Sequence, residues 1–159
     1  MGAVTIRLTP AQSPEDWRQA RQLVEEYAAS LNFDLAFQNF AQELEHFAIE
    51  YSAPGGAFLL AGDESGPLGC VGVRRFDGDS GEIKRLYVVP AARGRGVGAL
   101  LARGIVAEAR RLGYARLLLD TLPFMQEAQS LYASLGFQPT AAYRYNPLPG
   151  AAYFELALQ

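Results

Sequence analysis

"LYVVPAARGRGVGALLARGIVAEARRLGYARLLLDT", residues 86–121, decides how this chain is read. The apolar run ending at Val88-Val89-Pro90 has the pattern of a strand. Beyond it Val97, Leu100, Leu101, Ile105, Ala109 and Leu112 recur at helical spacing until Gly113 supplies a stop. "YARLLLDT" follows as a second, buried strand, and a crossover of this length makes the two strands parallel. Between strand and helix stands Arg93-Gly94-Arg95-Gly96-Val97-Gly98. A helix start leaves amides unpaired and carries partial positive charge, and glycines let an anion approach the main chain. The loop therefore suits a phosphate as well as a flexible turn.

Working outward, Ser13-Pro14-Glu15-Asp16 is a helix start, and Trp17, Ala20, Leu23, Val24, Tyr27 and Leu31 continue it at helical spacing. Asp34 caps a second expected helix with Phe37, Phe40, Leu44, Phe47 and Tyr51 on its apolar face, stopped by "PGG" at 54–56. Runs at 57–62, 67–76 and 82–89 are separated by "DESG" and "DGDSG", turns too short for crossovers, so they form an antiparallel meander. After residue 121 a helix near 125–135 ends at Gly136. "AAYRYNPLPGAAYFELAL" (141–158) is expected to form two strands around the "NPLPG" turn. The class is α/β (α+β), with residues 1–159 as one domain.

Composition narrows the function. Half of the 159 residues are apolar, enough for one sizeable core. A net charge of −3 and a pI near 5.2 argue against nucleic acid as a partner. The one cysteine, Cys70, has no disulfide partner in the chain, and no Cys or His neighbours it at metal-ligand spacing, so no metal is expected. No stretch has the length of a signal peptide core or a membrane span, so the expectation is a cytoplasmic protein with no membrane partner.

Three phosphate loops compete. A P-loop needs Gly-x-x-x-x-Gly-Lys-Ser/Thr, which is absent. Gly94-Arg95-Gly96-Val97-Gly98-Ala99 does fit the dinucleotide pattern G-x-G-x-x-A, with Asp120 ending the next strand. That loop, however, follows a meander in mid-chain, and too few residues remain after Asp120 to complete a doubly wound sheet. The third pattern, Arg/Gln-x-x-Gly-x-Gly/Ala from Arg93 to Gly98, resembles the pyrophosphate loop of the GNAT superfamily of N-acetyltransferases. Residues 86–121 resemble that family's strand–loop–helix–strand core. "EAQSLYASLGF" (127–137) is similar to its following helix, which ends in Leu-Tyr-x-x-Leu-Gly-Phe. The order of elements along nearly the whole chain matches as well.

The resemblance implies a GNAT fold: a mixed, mostly antiparallel sheet of about seven strands with one splayed parallel pair, flanked by about four helices. It implies acetyl-CoA as cosubstrate and transfer of acetyl to a primary amine by direct attack in a ternary complex. Cofactor-binding positions are then Arg93, Gly94, Arg95, Gly96, Val97, Gly98 and Ala99 at the pyrophosphate, with backbone outranking the arginine side chains. Leu86, Tyr87 and Val88 would meet the pantetheine arm, and an amide near Val88 would face the thioester oxygen. Tyr132 aligns with the family's general acid. Glu82, four residues before Leu86, matches the base of the histone-acetylating branch, working through water. Tyr27, Asn32, Phe33, Tyr143 and Tyr145 fall in segments that line the acceptor pocket in family members. Where the family often carries an asparagine near the start of its last helix, Met125 stands here and offers no such hydrogen bond.

Other residues have plain explanations: His46 solvated on a helix, Cys70 in the core, Arg74-Arg75 and Lys84-Arg85 as solvated strand-edge charges, Asp120 as a polar strand end. Aromatic candidates without an acidic cluster lean toward a small, partly apolar amine as acceptor. A homodimer is left open, and the rival from another class is a non-catalytic acyl-CoA-binding module.

Overall fold

The computed structural model describes residues 5–31, 40–122 and 125–158, so Asn32 and Phe33 lie outside the described residues. In chain order the elements are β1 (Arg7–Pro10), α1 (Pro14–Ala29), α2 (Phe40–Glu45), α3 (Phe47–Glu50), β2 (Ala57–Asp63), β3 (Gly66–Asp77) and β4 (Ser80–Val88). They continue with α4 (Val97–Arg111), β5 (Arg116–Thr121), α5 (Gln126–Ser134), β6 (Gln138–Pro139) and β7 (Ala152–Ala157). The strands form one seven-stranded sheet in the order β1-β2-β3-β4-β5-β7-β6. Among the described residues only β4 and β5 pair in parallel, as expected for a pair joined by a crossover helix.

Helices cover both faces. On one side Val97, Leu101, Ile105 and Ala109 of α4 pack with Tyr132 of α5 onto Leu59, Val71, Val73, Ile83 and Leu117. On the other, Ala20, Leu23 and Val24 of α1 and Phe47 of α3 pack onto Phe58, Leu60, Cys70 and Tyr87. The start of α1 is set by a capping box: Ser13 Oγ accepts from the Asp16 amide at 3.1 Å, while Asp16 accepts from the Ser13 amide at 3.1 Å.

The feature that positions the site lies in β4. Its pairing with β5 stops after Ser80–Arg116, Gly81–Leu117 and Glu82–Leu118. Against β3 its register slips by one residue between Lys84 and Tyr87, which oppose Gly72 and Cys70. The extra residue makes a bulge in which Arg85 takes φ 65°, a left-handed conformation that a side chain disfavours by about 1–2 kcal/mol. A bulged strand bends, and the C-terminal halves of β4 and β5 separate.

Two expectations change. The second helix is interrupted at His46 (φ −112°, ψ 24°), giving α2 and α3, and its expected portion at residues 34–39 lies outside the described residues. The C-terminal hairpin is reduced, because its first strand is only Gln138–Pro139 and residues 140–151 carry no strand. Side chains in that segment turn to the sheet: Tyr143 and Arg144 bind Glu82, and Asn146 donates to Asp120 at 3.2 Å. Pro147 and Pro149 also lack the amides that a ladder needs.

Candidate active site

The glycine loop sits where the separated strands meet α4. Gly94 (φ 82°) and Gly96 (φ 81°) adopt left-handed conformations, and Gly96 caps α4 with no side chain. Gly98 is different. Its φ is outside the left-handed region, and a Cβ there would meet Leu131 and Val88 at an ordinary 3.8 Å. The Arg93 amide bonds the Pro90 carbonyl at 3.3 Å, and among the described residues the next amide to find a backbone acceptor is that of Leu100, bonded to the Gly96 carbonyl at 3.1 Å. The amides from Gly94 to Ala99 thus have no backbone acceptor among the described residues, and with open space at Gly94 and Gly96 the loop fits a pyrophosphate. The two arginines have partners. Arg95 is ion-paired with Asp63 at 3.0 Å, and Arg93 Nε donates to the Val88 carbonyl at 3.1 Å.

The separated strands enclose a cavity of about 70 Å³ lined by Leu86, Lys84, Asp120, Thr121, Met125 and Tyr132 among others. A water needs ~10–15 Å³ of such volume, so bridging water fits. The Val89 amide bonds Leu68 of β3 at 2.9 Å, and strand alternation therefore turns the amides of Leu86 and Val88 toward the opening, where β5 no longer pairs with them. Tyr132 is brought to the same opening by α5. Its ring packs edge-on against Phe137, and its hydroxyl has no hydrogen-bond partner among the described residues. Burial raises its pKa, so the phenol keeps its proton at neutral pH.

Beyond the cavity, on the α1–α3 face, lies a network of charge. Glu82 is 0 % exposed and interior to β4, not a solvated strand end. One of its oxygens accepts from Tyr143 Oη at 2.8 Å and the other from Arg144 Nη2 at 2.5 Å. Lys84 Nζ stands 3.9 Å from both Glu82 and Asp120, joining the network to the cavity. Burial pushes the Lys84 pKa down to about 8. Arg85, the bulge residue, makes two hydrogen bonds of 2.9 Å to Glu43 and stacks over Phe40. Lys84 and Arg85 are thus buried, which corrects their reading as solvated charges; each belongs to a central strand covered on both faces and finds acids from other elements.

The remaining predicted positions divide. Tyr27 lines the cavity and packs edge-on against Tyr87. Tyr143 reaches Glu82, as above, but Tyr145 is 80 % exposed and turned to solvent. His46 is exposed and Cys70 buried, as the sequence suggests. Arg74, Lys84 and Arg85 were weighed from sequence as recognising an acidic substrate and set aside as solvated charges, while Glu43 and Arg144 were missed. The available signal was charge at Glu82, Lys84 and Arg85 inside a run that the topology covers on both faces.

Comparison with known proteins agrees with this geometry. Residues 17–137 match the model of the acetyltransferase (GNAT) family. An uncharacterised N-acetyltransferase of Schizosaccharomyces pombe is 40 % identical over 155 residues, which cover 96 % of this chain and 95 % of that protein. A GNAT-family acetyltransferase of Staphylococcus aureus superposes with a TM-score of 0.77 at 18 % identity, covering 98 % of this chain and 100 % of the other. A putative acetyltransferase of Salmonella typhimurium, solved with its cofactor acetyl-CoA, gives 0.71 at 21 % identity, covering 99 % and 95 %. The chain belongs to the GNAT family, and it is an acyltransferase.

Proposed function

We propose that residues 1–159 form one domain that transfers acetyl from acetyl-CoA to the primary amine of a small molecule, by direct attack in a ternary complex. The observation that carries this reading is that the end of β4, free of β5, and a tyrosine hydroxyl without a partner among the described residues meet at one opening, with a glycine loop of acceptor-free amides following on the same strand. The amides of Gly94 to Ala99 hold the pyrophosphate. Those of Leu86 and Val88 bind the pantetheine arm as an added strand, Tyr87 lying between them, and the Val88 amide polarises the thioester carbonyl. Binding there requires Arg93 to release the Val88 carbonyl and turn to the phosphates.

Two proton transfers remain. An alkylammonium is no nucleophile, so Glu82 takes its proton through water, and Tyr132 protonates the departing thiolate. The raised pKa of Tyr132 keeps that proton available. Replacing Glu82 by Gln should cost most rate at low pH, with recovery as pH approaches the amine's own pKa, about 8 for an α-amine or 10 for a lysine-like one.

The test has two arms. Acetyl-CoA at about 100 times its Kd should stabilise the protein by about 2.7 kcal/mol, while NAD should not. A panel of primary amines should then release free thiol. Stabilisation by NAD alone would return the loop to the dinucleotide reading, and CoA binding without turnover of any amine would leave a non-catalytic acyl-CoA-binding module.

A further inference from the structure

An open depression of about 750 Å³ lies on the α1–α3 face, lined in part by Ile49, Glu50, Arg74, Phe76, Glu82 and Arg144, and Lys84 of the cavity stands 3.9 Å from its Glu82. Its charge is layered. The side chains of Glu43 and Glu82 are only 1 % exposed, whereas Arg74 and Arg144 keep 15 % and 23 % of theirs open to the depression. Glu43 is already engaged by Arg85 at 2.9 Å. Arg74 therefore finds acids only at 3.5–3.6 Å, to Glu43, Glu50 and Glu82, the limit of a hydrogen bond. Arg144 donates through Nη2 to Glu82, but its Nε has no partner.

Two part-satisfied guanidiniums thus flank one oxygen of Glu82, at 3.6 Å and 2.5 Å. Guanidinium forks match carboxylates, and a half-buried one without good acceptors is costly to maintain. Of the three acids around Arg74, Glu50, with 38 % of its side chain exposed, shares the surface with the two arginines. Phe76, which carries Arg144 over its ring, and exposed Ile49 make the apolar part of the wall.

We propose that the acceptor is an α-amino acid with an apolar side chain, its carboxylate held between Arg74 and Arg144. The inference rests on the amine-acetylating reading above and narrows its substrate class. An α-amino acid carries amine and carboxylate on one carbon, so seating the carboxylate on the arginines brings the amine beside Glu82. The ammonium gives one proton to Glu82 through water, its nitrogen bonds to the acetyl carbon, and the C–S bond breaks as Tyr132 protonates the departing thiolate; the second nitrogen proton then returns to the tyrosinate, leaving the thiol and an N-acetylamino acid.

The test uses matched acceptors with the wild-type enzyme and acetyl-CoA, each compared at equal free-amine concentration. Phenylalanine is set against phenethylamine and leucine against 3-methylbutylamine. The amino acids should lead in kcat/KM on the order of 10²-fold, mostly through KM, the scale of a charge-assisted pair. In Arg74→Met the preference should narrow toward one. Amines used as well as their amino acids, or an Arg74→Met variant with the wild-type preference, would overturn the carboxylate site while leaving acetylation of amines intact. Turnover of neither set would instead defeat the amine-acetylating reading and this inference with it.

Discussion

The strand segment Glu82–Arg85 and the loop Arg93–Gly98 stand before and after Leu86–Val88, the end of β4, yet they are built on opposite principles. The loop is local. Its shape follows from glycines at φ 82° and 81° and from a helix start whose amides have no acceptor. The strand segment is assembled from a distance: Glu82 meets Tyr143 and Arg144, sixty residues on, and Arg85 meets Glu43, forty residues back. In the proposed function, backbone geometry serves the cofactor part that never changes, and side-chain charge gathered from several elements serves the acceptor. The two are coupled, because the Glu43–Arg85 pair holds the bulge that separates β4 from β5.

The coupling can be broken at Glu43. Glu43→Ala leaves Arg85 buried without its acid, and removal of one partner from such a pair costs about 3–5 kcal/mol. Chemical denaturation should record that loss, with weaker acetyl-CoA binding in whatever remains folded. A loss under about 1 kcal/mol would mean that the backbone alone holds the bulge.

Lys84 offers a pH-dependent test of the same segment. Its folded pKa of about 8 lies below the ordinary 10.5, so between these values the unfolded chain binds more protons than the folded one. Stability contributed by this group therefore rises with pH through that window, by about 2–3 kcal/mol. Wild-type stability minus that of Lys84→Met should increase from pH 8 to 10; a flat difference would place Lys84 in a more solvated setting.

The loop should show smaller effects on stability and a sharper one on binding. Gly96→Val forces a β-branched residue into φ 81° and should cost about 1–2 kcal/mol of stability as well as acetyl-CoA affinity. Gly98→Ala places its Cβ in ordinary contact with Leu131 and Val88, so stability should hold within about 0.5 kcal/mol. Any loss of affinity in that variant then measures how closely the ligand approaches the main chain. Equal stability losses in the two variants would erase the distinction between a glycine kept for conformation and one kept for space.

The fold was largely legible because its signals are local. The expected helix start at Ser13–Asp16 is there, the meander and the crossover appear as read, and the glycine loop precedes α4. What sequence periodicity missed follows from tertiary partners. His46 interrupts a helix that its apolar spacing would continue, and residues 140–151 leave the hairpin ladder because Tyr143, Arg144 and Asn146 are drawn to acids on β4 and β5. In the site, Tyr132 and the loop were found from motifs in one stretch of chain. Arg74 and Arg144 belong to no motif, and only the register that sets Arg74 opposite Glu82 brings them together.

The central claim is that the opening between β4 and β5 is a place of chemistry and that Tyr132 supplies its proton. Tyr132→Phe removes one unpartnered hydroxyl and little else, since the ring contact with Phe137 is kept. Steady-state turnover should fall on the order of 10²-fold while the acetyl-CoA Kd stays within about twofold of wild type. Wild-type turnover in Tyr132→Phe would show that the thiolate leaves without this proton, and the account of the site would be contradicted.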